Sequence, residues 1–191
     1  MKKKMVRILT AAFCASALLA GCGSADTAKT SASSAGAASS SADGTTTFTV
    51  GFDAEYPPYG YMDDETGDYT GFDLELAQEV CKLKGWTLKK QPIVWDNKDN
   101  ELNSGSIDCI WNGMSINASR QEIMCLSEAY MENEMVFVVK GDSDLTTMAA
   151  LEGKNIAVQN GSTAQEILEE SEVGKAGTIT TIATNVEALQ Q

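Results

Sequence analysis

Apolar and polar residues alternate from residue 47 to residue 52, and this period of two predicts a β-strand. After a proline-containing loop at residues 56–59, apolar residues at helical spacing predict a helix over residues 74–83. Asp73 is placed to cap this helix and Gly85 to end it. Further strands are predicted at residues 88–94, 107–111, 135–140, 155–158 and 178–183, and further helices at 97–103, 147–151, 161–170 and 185–191. This alternation predicts an α/β fold of βαβ units on mostly parallel sheets.

The N-terminal segment has a different pattern. Residues 1–7 are basic, and residues 8–20 form an apolar run rich in Leu and Ala. The run is shorter than the roughly 20 residues of a spanning helix, but it suits the hydrophobic region of a signal peptide. It ends in Leu-Ala-Gly-Cys at residues 19–22, which resembles the lipobox of bacterial lipoproteins. The resemblance implies a signal peptide at 1–21, cleavage before Cys22 and lipidation of its thiol; a buried N-terminal helix is the alternative.

Residues 22–45 are rich in Ser, Ala, Thr and Gly and contain hardly any large apolar side chain. Such a segment buries too little apolar surface to offset its conformational entropy, so a disordered tether is expected. As a flexible coil it would reach roughly 25 Å on average. We therefore expect an exported protein, anchored by lipid to the outer face of the cytoplasmic membrane or to the periplasmic side in a two-membrane cell.

Composition narrows the chemistry. None of the 191 residues is histidine, so no Ser-His-Asp or Cys-His nucleophile and no His-ligated zinc or haem can be built. With 14 Lys+Arg against 27 Asp+Glu, the chain lacks the cations that nucleic-acid binding requires. We expect no catalytic residue, no metal and no cofactor. Three cysteines follow the predicted signal peptide and the lipidated Cys22: Cys81, Cys109 and Cys125. An odd number without CxxC spacing predicts neither a complete disulfide set nor a metal or redox pair. Cys81 and Cys109 fit small buried hydrophobic residues.

Three segments, in order, resemble the signatures of one family. They are GFDAEYPPY at residues 51–59 with GFDLELA at 71–77, SIDCIWNGMSIN at 106–117 followed by Arg120, and GKNIAVQNGST at 153–163. Together they resemble the extracellular amino-acid-binding proteins that serve ABC importers, family 3 of the solute-binding proteins. The resemblance covers residue 46 to the end of the sequence.

This resemblance implies a periplasmic-binding-protein-like fold, in which two α/β lobes joined by a strand hinge close on one small ligand. Residues 46–138 would form the first lobe and residues 139–191 part of the second, with residues 135–140 as the first hinge crossing. Residues 185–191 begin a helix without a stop signal. We therefore expect the sequence to be C-terminally incomplete, with the second lobe and the return segment only partly present.

A ligand carboxylate is best held by a bidentate guanidinium, and Arg120 is the only arginine after the signal. By resemblance Arg120 holds that carboxylate; a surface salt bridge is the alternative. Asn112, Gly113 and Ser115 lie in a loop after a predicted strand, where ligands of open α/β sheets bind.

Ser162 and Thr163 open a predicted helix whose free N–H groups suit a carboxylate, and they can cap the helix at the same time. Gln159 follows a strand and can contact the ligand from the second lobe. By resemblance Tyr56 and Trp95 sandwich the ligand side chain, where a cation over a ring gains roughly 0.5–2 kcal/mol. Core packing is the alternative for both rings.

Asp53 bears on the ligand class. By resemblance the aspartate for the ligand ammonium lies beyond Gln191, so Asp53 is a surplus acceptor at the side-chain end of the site. A buried unpaired carboxylate is costly, so the ligand should offer a cation or an amide. We expect glutamine, arginine, lysine, histidine or a cystine-like compound, and we do not expect glutamate or aspartate. Glu55 either strengthens this preference or faces solvent.

The sequence thus predicts a monomeric, non-catalytic lipoprotein that binds an amino acid and delivers it to the membrane subunits of an ABC importer. One alternative is an enzyme on the same fold, a cyclohexadienyl or arogenate dehydratase, with Asp53 or Glu55 as general acid. A general-acid carboxyl needs an apolar pocket to raise its pKa, and neither position shows one in sequence. The other alternative is the ligand-sensing domain of a receptor, which requires a transmembrane segment after residue 191.

Overall fold

The computed structural model describes residues 45–191. The predicted signal peptide, Cys22 and all but the last residue of the tether lie outside the described residues. The strands are β1 (Thr47–Phe52), β2 (Glu55–Tyr56), β3 (Gly60–Met62), β4 (Tyr69–Thr70), β5 (Thr87–Pro92), β6 (Cys109–Ile110), β7 (Asn155–Gln159) and β8 (Thr178–Ile182). The helices are α1 (Phe72–Lys84), α2 (Lys98–Ser104), α3 (Ala118–Ile123), α4 (Thr163–Glu170), α5 (Glu172–Ala176) and α6 (Asn185–Leu189), with 3₁₀ helices at Trp95–Asn97 and Met148–Leu151.

The first lobe, made of β1–β6 and α1–α3, is built around a parallel sheet in the order β5-β1-β6. Val50 and Phe52 of β1 are fully buried and pack against Leu74 and Ala77 of α1. The period-two pattern of β1 and the helical spacing of α1 therefore meet in one core. Gly85 ends α1 in the left-handed conformation, as predicted.

The second lobe, made of the 3₁₀ helix Met148–Leu151, β7, β8 and α4–α6, is built on the parallel pair β7-β8. Leu151, Val158, Leu168 and Val173 form its core. The predicted strands at 155–158 and 178–183 and the helix through residue 170 are confirmed within a residue or two. Two parallel sheets in separate lobes confirm the predicted α/β, periplasmic-binding-protein-like fold class.

Two predictions near the start of the first lobe were wrong. Asp73 does not cap α1: Gly71 is the N-cap, and Asp73 lies inside the first turn with its side chain buried. The loop predicted after β1 contains a small antiparallel sheet, β2-β3-β4. Its strands are two or three residues long, too short for a period of two to be read from sequence.

Residues 135–140, predicted as a strand and hinge crossing, have no regular secondary structure. They pair with no strand among residues 45–191, and the apolar side chains of residues 135–139 are 38–73% exposed. A strand depends on the hydrogen-bonded ladder of a neighbour, so an apolar run alone does not make one.

Cys81 is buried, Cys109 is partly buried and Cys125 is exposed, and all three are free thiols. Burial raises the pKa of Cys81, and burial beside Asp108 raises the pKa of Cys109 to about 11. Both thiols therefore stay protonated at neutral pH, as the prediction of small hydrophobic residues requires. In residues 45–191 no helix is both long enough and apolar enough to cross a membrane.

Candidate functional site

A small cavity lies at the carboxyl ends of β1, β6 and β7, where the two lobes meet. All ten residues predicted to bind the ligand line it: Asp53, Tyr56, Trp95, Asn112, Gly113, Ser115, Arg120, Gln159, Ser162 and Thr163. Met114, Met135, Ala164 and Asn185 complete the lining. The cavity volume is about 80 Å³, below the roughly 300–1,000 Å³ of ordinary ligand pockets. It is small because side chains of the two lobes bond across it.

Asp53 follows β1 and is 6% exposed. Its Oδ1 accepts from the Glu55 backbone N–H at 2.9 Å, and its Oδ2 accepts from Gln159 Nε2 at 2.5 Å. The carboxylate therefore has hydrogen-bond partners, and these neutral donors offset part of the free-energy cost of burying it. Within residues 45–191 no Lys or Arg forms an ion pair with it, so its negative charge is not neutralised. Glu55 itself is exposed and does not line the cavity.

Gln159 ends β7 and crosses to Asp53 from the second lobe. Its Nε2 also donates to the Ala183 carbonyl at 3.2 Å, and its Oε1 accepts from Asn185 Nδ2 at 2.9 Å. Every polar group of this amide therefore has a partner, and the side chain is fixed. Asn185 was not predicted, because only the packing of α6 beside β7 brings it to the cavity.

Arg120 lies in α3 and is 4% exposed, so it is a buried cation, although its ion-pair partner Glu166 is half-exposed. Its Nη1 donates to the Ser115 carbonyl at 2.9 Å and to Thr163 Oγ1 at 2.5 Å, and its Nη2 lies 3.5 Å from Glu166 Oε1. Burial lowers the pKa of Arg120, and the nearby carboxylates of Glu166 and Asp99 offset part of that effect. The guanidinium remains charged, since its ordinary pKa is far above neutral.

Asn112 provides an open donor at the cavity wall. It is 2% exposed, and its Oδ1 accepts from the Asp53 backbone N–H at 2.5 Å. Its Nδ2 is buried and has no partner among the described residues. An unsatisfied buried donor is costly, and a ligand acceptor in the cavity would remove that cost. Beside it, Gly113 adopts a positive φ of 59°, which glycine tolerates without strain.

Ser162 caps α4, since its Oγ accepts from the Gln165 backbone N–H at 3.1 Å. The next residue, Thr163, directs its hydroxyl to Arg120. The capping role predicted for this pair is therefore present at Ser162, while Thr163 brings the start of α4 against the guanidinium.

The two predicted rings differ in their surroundings. Tyr56 stacks on Tyr59 with ring centroids 5.2 Å apart, and burial raises the pKa of Tyr56. Trp95 is 8% exposed, and Lys98 Nζ lies 5.3 Å from its ring centroid. Lys98 is 5% exposed and also donates to the Gly161 carbonyl at 3.0 Å. Sequence reasoning missed Lys98, because an isolated lysine in a helix pattern is usually at the surface.

The α/β fold has two lobes with a charged, polar and aromatic cavity between them, an arrangement also found in proteins that close on a small ligand. The chain belongs to the bacterial extracellular solute-binding proteins, family 3, whose sequence model matches residues 48–187. The prediction of a binding protein rather than an enzyme is confirmed by this family.

The chain is also similar to named amino-acid-binding proteins. The chain is 29% identical over 164 residues to the arginine-binding extracellular protein ArtP of Bacillus subtilis, covering 86% of this chain and 58% of that protein. It is 31% identical over 130 residues to the L-cystine-binding protein TcyJ of Escherichia coli, covering 67% and 48%. A substrate-binding protein of an ABC uptake transporter from Streptococcus pneumoniae, solved with bound histidine, has 38% identity and a TM-score of 0.66, covering 75% and 60%. The chain thus spans about half of each curated relative's length.

Proposed function

We propose that the protein captures a polar or cationic amino acid outside the cell and delivers it to an ABC importer. The observation that carries this proposal is a pair of buried opposite charges at one cavity. Arg120 and Asp53 both line it, and they form no ion pair with each other. An amino acid with a polar or cationic side chain presents a carboxylate for the first and a donor for the second.

In this proposal Arg120, Ser115 and Thr163 hold the ligand carboxylate, with the N-terminus of α4 beside it. Asn112 Nδ2 gives its unpaired hydrogen bond to a ligand oxygen. Tyr56 and Trp95 contact the ligand side chain, and Gly113, Gln159 and Ser162 shape the rest of the site. We propose residues 46–138 and 139–191 as the boundaries of the two lobes, opening so that the cavity can admit an amino acid.

The ligand class follows from Asp53. Its partners Gln159 and the Glu55 N–H are neutral, so this buried carboxylate has no cationic partner among residues 45–191. A second carboxylate there would be repelled, while a guanidinium, ammonium or amide would be attracted. The relatives named above bind arginine, cystine and histidine, and these ligands support a polar or cationic amino acid here.

The location rests on the N-terminal segment. A basic region, a short apolar run and Leu-Ala-Gly-Cys support cleavage before Cys22 and lipid anchoring at the outer face of the cytoplasmic membrane. A monomer tethered there would pass its ligand to importer subunits in the same membrane. The family and the ABC-transporter relative support that partner.

A thermal-shift screen of the full-length protein against the twenty amino acids and cystine tests the proposal. A ligand that binds only the folded state raises the Tm, by an amount that grows with its concentration over Kd. We expect a shift with at least one polar or cationic amino acid. Arg120→Ala should abolish it, whereas Lys175→Ala, at an exposed pair with Glu172, should leave it intact. A shift that survives in Arg120→Ala, or no shift with any compound, contradicts the proposal.

A further inference from the structure

One carboxylate on the second lobe is held by the first lobe outside the cavity. Glu166 of α4 accepts from Asn117 Nδ2 at 2.6 Å through its Oε2, and Ser119 Oγ lies 3.5 Å from the same oxygen. Its other oxygen, Oε1, faces Arg120 Nη2 at 3.5 Å. None of Glu166, Asn117 and Ser119 lines the cavity. We call these three residues the clasp.

Both sides of the clasp are fixed by local structure. Asn117 is the N-cap of α3, and its Oδ1 accepts from the Arg120 backbone N–H at 2.9 Å and from Ser119 Oγ at 3.0 Å. With Oδ1 committed to the cap, the opposite end of the amide, Nδ2, is turned to Glu166. On the other side, Glu166 lies in the first turn of α4, where Ser162 caps the helix and the helix dipole favours a carboxylate.

The clasp spans the same gap as the ligand site. Asn117 and Arg120 are joined through the start of α3, and Thr163 and Glu166 through the first turn of α4. The Asn117–Glu166 bond therefore brings α3 and α4 to the position in which Arg120 meets Thr163. A second contact, Lys98 Nζ to the Gly161 carbonyl, joins the lobes through the loop before α4.

We propose that Glu166 and Asn117 are positioning residues that hold the cleft closed and so set ligand affinity without contacting the ligand. Affinity depends on them because the apparent Kd rises as the fraction of closed, binding-competent protein falls. The effect on affinity rests on the proposed function; the effect on closure does not. A half-exposed, charge-assisted hydrogen bond should shift the open–closed equilibrium by about three- to tenfold.

The clasp can be broken and rebuilt by exchanging its donor and acceptor. Asn117→Asp keeps the acceptor that caps α3, since aspartate caps as well as asparagine, but places a second carboxylate against Glu166. Glu166→Gln removes the charge and supplies an amide donor. Combining the two changes restores a hydrogen bond across the gap with the roles reversed, which a double-mutant cycle measures. Glu170→Gln is the matched control, because it removes the same charge from the exposed end of α4.

Two measurements read the result. Small-angle X-ray scattering of the ligand-free protein should show a larger radius of gyration for Asn117→Asp, and wild-type values for the double variant and for Glu170→Gln. Calorimetry with L-arginine, L-glutamine, L-histidine and L-cystine should show Asn117→Asp weakening every compound that the wild type binds by one common factor of about three to ten. The double variant should recover that affinity.

An unchanged radius of gyration in Asn117→Asp, or no recovery of affinity in the double variant, overturns the proposal that the clasp holds the cleft closed. A change in the rank order of ligands also overturns it, since it would mean direct contact with the ligand. If the wild type binds none of the four compounds, the proposed ligand class is at fault, and the scattering comparison still decides whether the clasp closes the lobes.

Discussion

The Asp73–Tyr130 contact allows a stability prediction that needs no ligand. Asp73, in the first turn of α1, is fully buried, and its Oδ1 accepts from the Tyr130 hydroxyl at 2.8 Å. Tyr130 belongs to the segment between α3 and the 3₁₀ helix Met148–Leu151, which has no regular structure. This bond ties an irregular segment to the core of the first lobe, beside the contacts of Met131 with Tyr59 and of Asn133 with Ser115. Tyr130→Phe removes the hydroxyl and leaves the ring.

Hydrogen bonds to charged groups contribute about 1.5–3 kcal/mol. We expect a loss near 1.5 kcal/mol, because the Tyr130 side chain is itself partly exposed. Urea denaturation at pH 7 measures it as a lower midpoint with an unchanged slope. Tyr59→Phe is the matched control, since the Tyr59 hydroxyl donates only to Met131 sulfur, a weak acceptor, at 3.3 Å. Equal losses of stability in the two variants, or no loss in Tyr130→Phe, would show that the Tyr130–Asp73 hydrogen bond does not stabilise the fold as proposed.

The same site predicts a pH dependence. Burial raises the pKa of Asp73 above its ordinary 3.8, and the hydrogen bonds from Tyr130 and Gly113 offset this only in part. The ionised form is therefore the costlier one in the folded protein. Its cost is absent below pH 3.8 and grows as the pH rises through the raised pKa. Asp73→Asn cannot ionise, so its free energy of unfolding should increase relative to that of the wild type between pH 4 and pH 7, meaning that the variant becomes relatively more stable. A difference that is flat, or that falls with pH, would show the sign to be wrong.

Three further predictions test other parts of the account. Asp53→Asn removes the uncompensated charge but keeps the shape, so calorimetry should show a cationic ligand weakened about tenfold or more, and glutamine changed much less; equal changes would argue against a charge effect. Gly71→Ala should destabilise by about 1–3 kcal/mol in urea, because Gly71 has a φ of 127° and a Cβ there would meet the Tyr59 carbonyl; a change within 0.5 kcal/mol would contradict this. Cys22→Ser should move the protein from the membrane fraction to the soluble fraction on immunoblots, and retention on the membrane would count against the lipid anchor.

Long periodic elements could be predicted from the sequence, and short or context-dependent ones could not. β1, α1 and α4 each span six or more residues, and their patterns were sufficient. The β2-β3-β4 sheet was missed because its strands hold two or three residues each. Residues 135–140 have a strand-like composition, but strand formation also depends on a neighbouring strand. Asp73 was misassigned because its partner Tyr130 is 57 residues away, a distance that no local pattern reports.

The site residues were predicted from the family resemblance, and the residues that were missed lie outside the segments that carry it. All ten predicted residues line one cavity because each lies in a signature or after a strand end. Lys98, Asn185 and Glu166 lie outside these signatures. The contacts of Lys98 and Glu166 exist because the two lobes meet, and that of Asn185 exists because α6 packs beside β7. The charge of Asp53 was anticipated, while its neutral partner Gln159, 106 residues away, was not.

Equilibrium dialysis against a mixture tests whether the cavity between the lobes selects a polar or cationic amino acid. The protein is dialysed against the twenty amino acids and cystine at equal concentrations, and the retained compounds are identified by mass spectrometry. Because Arg120 and Asp53 line one cavity, we predict that a polar or cationic amino acid is retained. Retention of an acidic or purely apolar amino acid, or of none, would contradict it.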